Sequence, residues 1–61
     1  MENYRFTAFE KTGETLFDEV WTFESDEKAK HEGQKQIDEK GVGEKTHRLV
    51  NGSGKLILFH V

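Results

Sequence analysis

The chain has neither cysteine nor proline among its 61 residues. Without cysteine there is no disulfide framework and no thiolate zinc site, so the usual staples of small secreted domains are missing. A cytoplasmic setting follows as the expectation. Long apolar runs are lacking too, since the most continuous one, Lys55-Leu56-Ile57-Leu58-Phe59-His60-Val61, falls far below the roughly 20 residues that span a bilayer. No membrane anchor is expected. The opening Met1-Glu2-Asn3-Tyr4-Arg5 has no basic segment leading into an apolar one, which excludes a signal-peptide reading of this stretch.

What the chain does have is charge and rings. Charged residues make up 34% of it, and apolar residues recur at regular spacing, as in a small folded domain rather than a linker. One domain, residues 1–61, is the expectation from length. The net charge of −3 is unevenly spread: all twelve acids lie in residues 1–44, while Lys45, Arg48 and Lys55 face no acid in residues 45–61. Two readings stand, an acidic part complementing a basic one within the fold, or a basic patch for an anionic partner.

Asn3 to Phe9 alternates, with Tyr4, Phe6 and Ala8 on one side, and predicts a strand. Glu10-Lys11-Thr12-Gly13-Glu14 is a tight turn, and Thr15 to Phe23 returns as a second strand. A glycine-bulge loop pairs Arg5 with Glu19, whereas a two-residue loop pairs Tyr4 with Trp21. The choice exchanges faces and leaves the side taken by Trp21 open.

Ser25 is a natural helix N-cap, with Asp26 and Glu27 in the first turn, and Lys40-Gly41 closes the helix with Val42 placed to touch Ile37. Ala29, Gly33 and Ile37 form its inner stripe, and Gly33 implies a close approach to the sheet. A third strand, roughly Lys45 to Val50, and a turn at Asn51-Gly52-Ser53-Gly54 lead to an apolar fourth. The order β-β-α-β-β predicts a single α+β domain, one helix packed on one face of a four-stranded, mainly antiparallel sheet. A right-handed crossover leaves a gap that the first strand fills. Because the fourth strand is the more apolar, the favoured order is 2-1-4-3, with 2-1-3-4 as the alternative.

All seven aromatics fall on strands or at their ends, and one thin helix covers one face. Some aromatic surface is therefore expected to be exposed, and a homodimer through the open face or a sheet edge would cover it. Pairing Val50 with Lys55 would set His47 against Leu58 and Lys45 against His60, with both histidines, Leu49, Leu56 and Leu58 on one side. The histidines read as strand-edge residues rather than metal ligands, because no third ligand is near in sequence and Lys45 and Arg48 repel a cation. His31 belongs to the solvated side of the helix.

No nucleophile with a base, no converging carboxylates and no phosphate-binding loop occur, so an enzyme is not expected and neither a catalytic residue nor a cofactor is assigned. The expected function is a non-catalytic interaction or regulatory module, self-associating or meeting a protein partner through an exposed sheet face. Lys45, His47, Arg48, Lys55, His60 and Trp21 make up its candidate surface. The second reading is weak single-stranded nucleic-acid binding through aromatics and the basic second hairpin, against which stand the net charge and the lack of an RNP-like run.

The segments FEKTG at the first turn, FESDEKAK into the helix, EKGV out of it, and EKTHR followed by SGKLILFH resemble the YhzD-like family of small bacterial proteins over nearly the entire chain. The resemblance implies a cytosolic protein from bacilli. That family has no assigned function, so no catalytic or ligand-binding residue is carried across.

Overall fold

A computed structural model describes residues 1–61. Strands β1 (Glu2–Phe9) and β2 (Thr15–Phe23), helix α1 (Asp26–Lys40), and strands β3 (Thr46–Asn51) and β4 (Leu56–His60) follow in that order. The helix starts and stops where its chemistry dictates. Ser25 Oγ accepts from the Lys28 N–H at 3.2 Å, satisfying one of the free donors of the first turn. At the far end Gly41 takes φ 73°, and the Gly41 and Val42 N–H groups donate to Asp38 and Ile37 carbonyls, the two bonds of a Schellman ending. Ala29, Gly33 and Ile37 are all buried.

Both hairpins are built with the same device. The Glu10 N–H donates to the Glu14 carbonyl and the Gly13 N–H to that of Glu10, with Gly13 at φ 90°. The Asn51 N–H donates to Lys55 and the Gly54 N–H to Asn51, with Gly54 at φ 85°. Each is a tight turn closed by a left-handed glycine. Each return strand then carries one extra residue: Phe9 pairs with Thr15 but Ala8 with Phe17, and Val50 pairs with Leu56 but Leu49 with Leu58. Leu16 and Ile57 are thus bulges. The two registers open for the first hairpin each hold in part, the glycine-bulge one beside the turn and the Tyr4–Trp21 one beyond Leu16. In the second hairpin the bulge sets His47 opposite His60, not Leu58, and places Leu56 beside Val50, away from the histidines.

The strand order is β2-β1-β3-β4, antiparallel throughout, so the favoured 2-1-4-3 is wrong and its alternative holds. With one sheet face open, a central strand needs apolar side chains on one parity alone. β3 meets that need by burying His47 and Leu49 while Thr46 and Arg48 take the other side; β4 buries Ile57 and leaves Leu56 and Phe59 exposed.

The excess of aromatic surface is also smaller than composition predicts. Tyr4, Phe6, Trp21 and Phe23 are buried under the helix and Phe17 is half-buried beside them, so five of the seven rings share the covered face. Phe6 and Trp21 stack at 4.3 Å, flat enough for a thin helix to lie over them. Val42 and Ile57 add to the core from the loop and the bulge.

Candidate functional site

Cross-strand partners share a face, so the register alone sorts the sheet into two surfaces. Tyr4, Phe6 and Ala8 face the helix together with Trp21, Glu19, Phe17, Leu49 and His47. The open face holds two rows that cross all four strands. Val20, Arg5, Val50 and Leu56 form one, and Asp18, Thr7, Arg48 and Phe59 form the other, each read from β2 across to β4. Phe59, Val20 and Leu56 are 62%, 69% and 41% exposed, which makes them the apolar features of this surface. Both arginines of the chain stand here, while no strand position of this face carries any of the seven lysines or nine glutamates.

Arg5 is held by a two-pronged contact, its Nε and Nη2 donating to Asp18 Oδ1 and Oδ2 at 3.0 and 2.9 Å. The bond to Arg5 lowers the Asp18 carboxyl below its usual range, against a smaller opposing effect of desolvation. Both groups are largely exposed, so the pair fixes orientation more than it stabilises the fold. Arg48 forms no ion pair and lies directly across from Phe59.

The residues picked out from sequence divide between several places. Arg48 is on the open face, and Lys55 is exposed in the second turn. Lys45 precedes β3 and pairs with Glu10 at 2.8 Å, so part of the basic segment is complemented within the molecule. His60 is exposed at the end of β4 on the helix side, stacked on the buried His47. Trp21 and His47, 8% and 3% exposed, are corrections: both lie beneath the helix layer and cannot line an open surface. Trp21 packs on Phe6 and donates from Nε1 to Glu19 Oε1, which Lys40 Nζ also approaches at 3.3 Å while sitting 4.5 Å above the Phe17 ring. The indole bond, ahead of the Lys40 contacts, holds the Glu19 carboxyl below its ordinary value.

Sequence reasoning missed Asp18, Val20, Val50 and Phe59. Their signal was present in β1, where the odd positions Asn3, Arg5 and Thr7 are polar. It was hidden in β2 and β4 by the bulges. The reading also missed a network that joins three distant segments: the Tyr4 hydroxyl donates to Asp26 Oδ1 at 2.7 Å, and Asn51 Nδ2 donates to Asp26 Oδ2 at 3.2 Å. Asn51 Oδ1 meanwhile accepts from the Ser53 and Lys55 N–H groups, closing the turn. Burial first, then the Asp26 bond and charge, push the Tyr4 hydroxyl up to about 12.

A groove of about 790 Å³ crosses the end of the molecule between Glu10, Lys11, Asp38, Glu44 and Lys45. No three His, Cys, Asp or Glu side chains gather as a group able to hold a metal ion. No helix is long and apolar enough to cross a membrane.

No solved structure matches the chain. A protein of Bacillus subtilis (strain 168) described as "Uncharacterized protein YhzD" is 47% identical over 60 residues, covering 98% of each chain. The profile of the "YhzD-like protein" family matches residues 1–61, and on that full-length match the chain belongs to the YhzD-like family.

Proposed function

We propose that the protein is a non-catalytic interaction module whose open sheet face docks against a second copy of the same face. The observation that carries this reading is the face's composition. Interfaces concentrate arginine and aromatic residues and exclude lysine and glutamate, and this face holds both arginines beside Phe59 with no strand lysine or glutamate. Its size fits as well: the two longer extents of the molecule, 33 × 21 Å, bound about 700 Å², close to the ~800 Å² that each partner contributes to a standard interface. A two-fold axis between two such faces, running along the strands, lays β2 of one copy over β4 of the other. The Asp18 end then meets the Arg48–Phe59 end, which supplies the unpaired Arg48 with an acid.

Nucleic-acid binding finds less support, because most of the rings expected to stack bases lie under the helix and Phe59 alone is an exposed ring on the open side. Sedimentation of the purified chain decides. A species of twice 7.1 kDa that persists at high salt and shifts to monomer on Phe59→Ser or Arg48→Glu supports docking of two copies. A 7.1 kDa monomer at every concentration would falsify it.

A further inference from the structure

The helix side of the second hairpin carries a different chemistry. His47 and His60 are direct cross-strand partners at the open end of the sheet, their rings 5.8 Å apart and inclined by 23°. His47 is oriented from behind, with Nδ1 2.8 Å from the Lys45 carbonyl oxygen. A carbonyl accepts and never donates, so in the neutral ring Nδ1 bears the proton and Nε2 keeps its lone pair. A backbone carbonyl fixing the tautomer of a histidine is the arrangement that supports metal-ligating imidazoles. We propose that His47 and His60 form a two-imidazole site for a divalent transition ion of the copper, nickel or zinc type, with water filling the remaining positions.

The repulsion that sequence expects from Lys45 and Arg48 is relieved by the fold, and the third protein ligand that sequence lacks is lacking here too, so water must fill its place. Lys45 is paired with Glu10 at 2.8 Å, and Arg48 points to the opposite face of the sheet. The groove at this end of the molecule is lined by three acids, Glu10, Asp38 and Glu44, against two lysines, Lys11 and Lys45, a balance that does not oppose a cation nearby.

The geometry is within reach. With metal–nitrogen bonds of about 2.0–2.1 Å and an angle of about 90–110° between them, two imidazole centroids stand about 4.5–5.2 Å apart. The observed 5.8 Å then asks His60 to close by about 1 Å and to turn until its lone pair meets that of His47. His60 is exposed and has that freedom; His47 is buried and does not. Two imidazoles suit copper above nickel and zinc.

The test is calorimetric titration of the full chain with Zn²⁺, Ni²⁺ and Cu²⁺ in turn, with the histidine ring signals followed by NMR. One ion per chain is expected, tightest for Cu²⁺, with the His47 and His60 signals moving together. His60→Ala, a surface change that circular dichroism should find folded, is expected to weaken binding on the order of tenfold or more, since one of the two protein ligands is gone. His31→Ala, on the exposed side of the helix, is expected to leave it unchanged. Equal affinity in His60→Ala and wild type, or no uptake at about 100 μM ion, an affinity bound of only some 5 kcal/mol, overturns the site.

Discussion

Replacing Gly33 by alanine tests how the helix lies on the sheet, because two known effects oppose each other there. In the interior of an exposed helix the change stabilises by about 1 kcal/mol, through backbone entropy alone. Here a Cβ would stand 2.8 Å from Leu49 Cδ2, 3.4 Å from Leu58 Cδ1 and 3.9 Å from Phe23 Cζ. Leu49 is fully buried and cannot swing its methyl into solvent. Forcing an extra carbon into such a place costs typically about 1–3 kcal/mol. The two terms leave a net loss of about 0–2 kcal/mol, a melting temperature unchanged or lowered by up to about 16 °C in a domain of this size.

A double-mutant cycle separates the clash from any general loss of helix stability. Leu49→Val should be costly in the wild type and much less so beside Gly33→Ala, because the new methyl then occupies the space that the shorter side chain leaves. A favourable coupling of about 1 kcal/mol is expected by urea denaturation. A Gly33→Ala protein that melts several degrees higher, or a cycle additive to within about 0.3 kcal/mol, would show that helix and sheet do not approach as closely as described.

Asp26→Ala should cost about 1–3 kcal/mol, since it strands the buried Tyr4 hydroxyl and frees Asn51 Nδ2. Tyr4 is the single tyrosine, so its ultraviolet titration reads this site directly: the midpoint near 12 should fall part of the way toward 10.0, burial being the larger cause and remaining in place. In the wild type the stability tied to Tyr4 is fully present below pH 10.0 and lost as pH rises toward about 12, where the unfolded chain binds fewer protons than the folded one. At the acid end Glu19 acts with the opposite sign. Its folded value lies below 4.5, so its contribution is present above that pH and lost as pH falls through the lowered value; Glu19→Gln should flatten that limb of an acid melt followed by the fluorescence of Trp21, and an unchanged limb would show that the indole and Lys40 contacts do not hold this carboxyl.

The parts of this fold that could be read from sequence are those whose causes are local. Ser25, Gly41 and the contact of Val42 with Ile37 lie within a few residues of the helix ends they govern, and the stripe Ala29-Gly33-Ile37 needs only the helical period. Strand order did not yield to the same approach, because the apolar character of a whole strand says little when one face of the sheet is open. β3 looks polar and is central; β4 looks apolar and is the edge. Of the candidate surface, Arg48 lies on the open face, whereas the side of Trp21 could not be counted through the bulge at Leu16, and that of His47 turns on which sheet face the helix covers, which no local spacing states. The Tyr4–Asp26–Asn51 network joins residues more than twenty positions apart, beyond the reach of any spacing rule.

The two bulges explain more of the surface chemistry than any other feature. Continued past Leu16, the register beside the first turn would set Tyr4 against Val20 and Phe6 against Asp18, sending Trp21 and Phe23 outward. One extra residue reverses this: the rings turn under the helix while Asp18 and Val20 come out beside Arg5. In the second hairpin the turn register would place His47 across from Phe59. Ile57 shifts it by one, so that His60 joins His47 on the helix side and Phe59 joins Arg48 on the open side. The mixed arginine, aspartate and aromatic surface and the histidine pair therefore share an origin in the same local irregularity, repeated once in each hairpin. A bulge disrupts the ladder where it sits and increases the local twist, and here its gain is the sorting of side chains: Trp21 and Phe23 inward, Asp18, Val20 and Phe59 outward beside the arginines of β1 and β3, and two imidazoles set side by side.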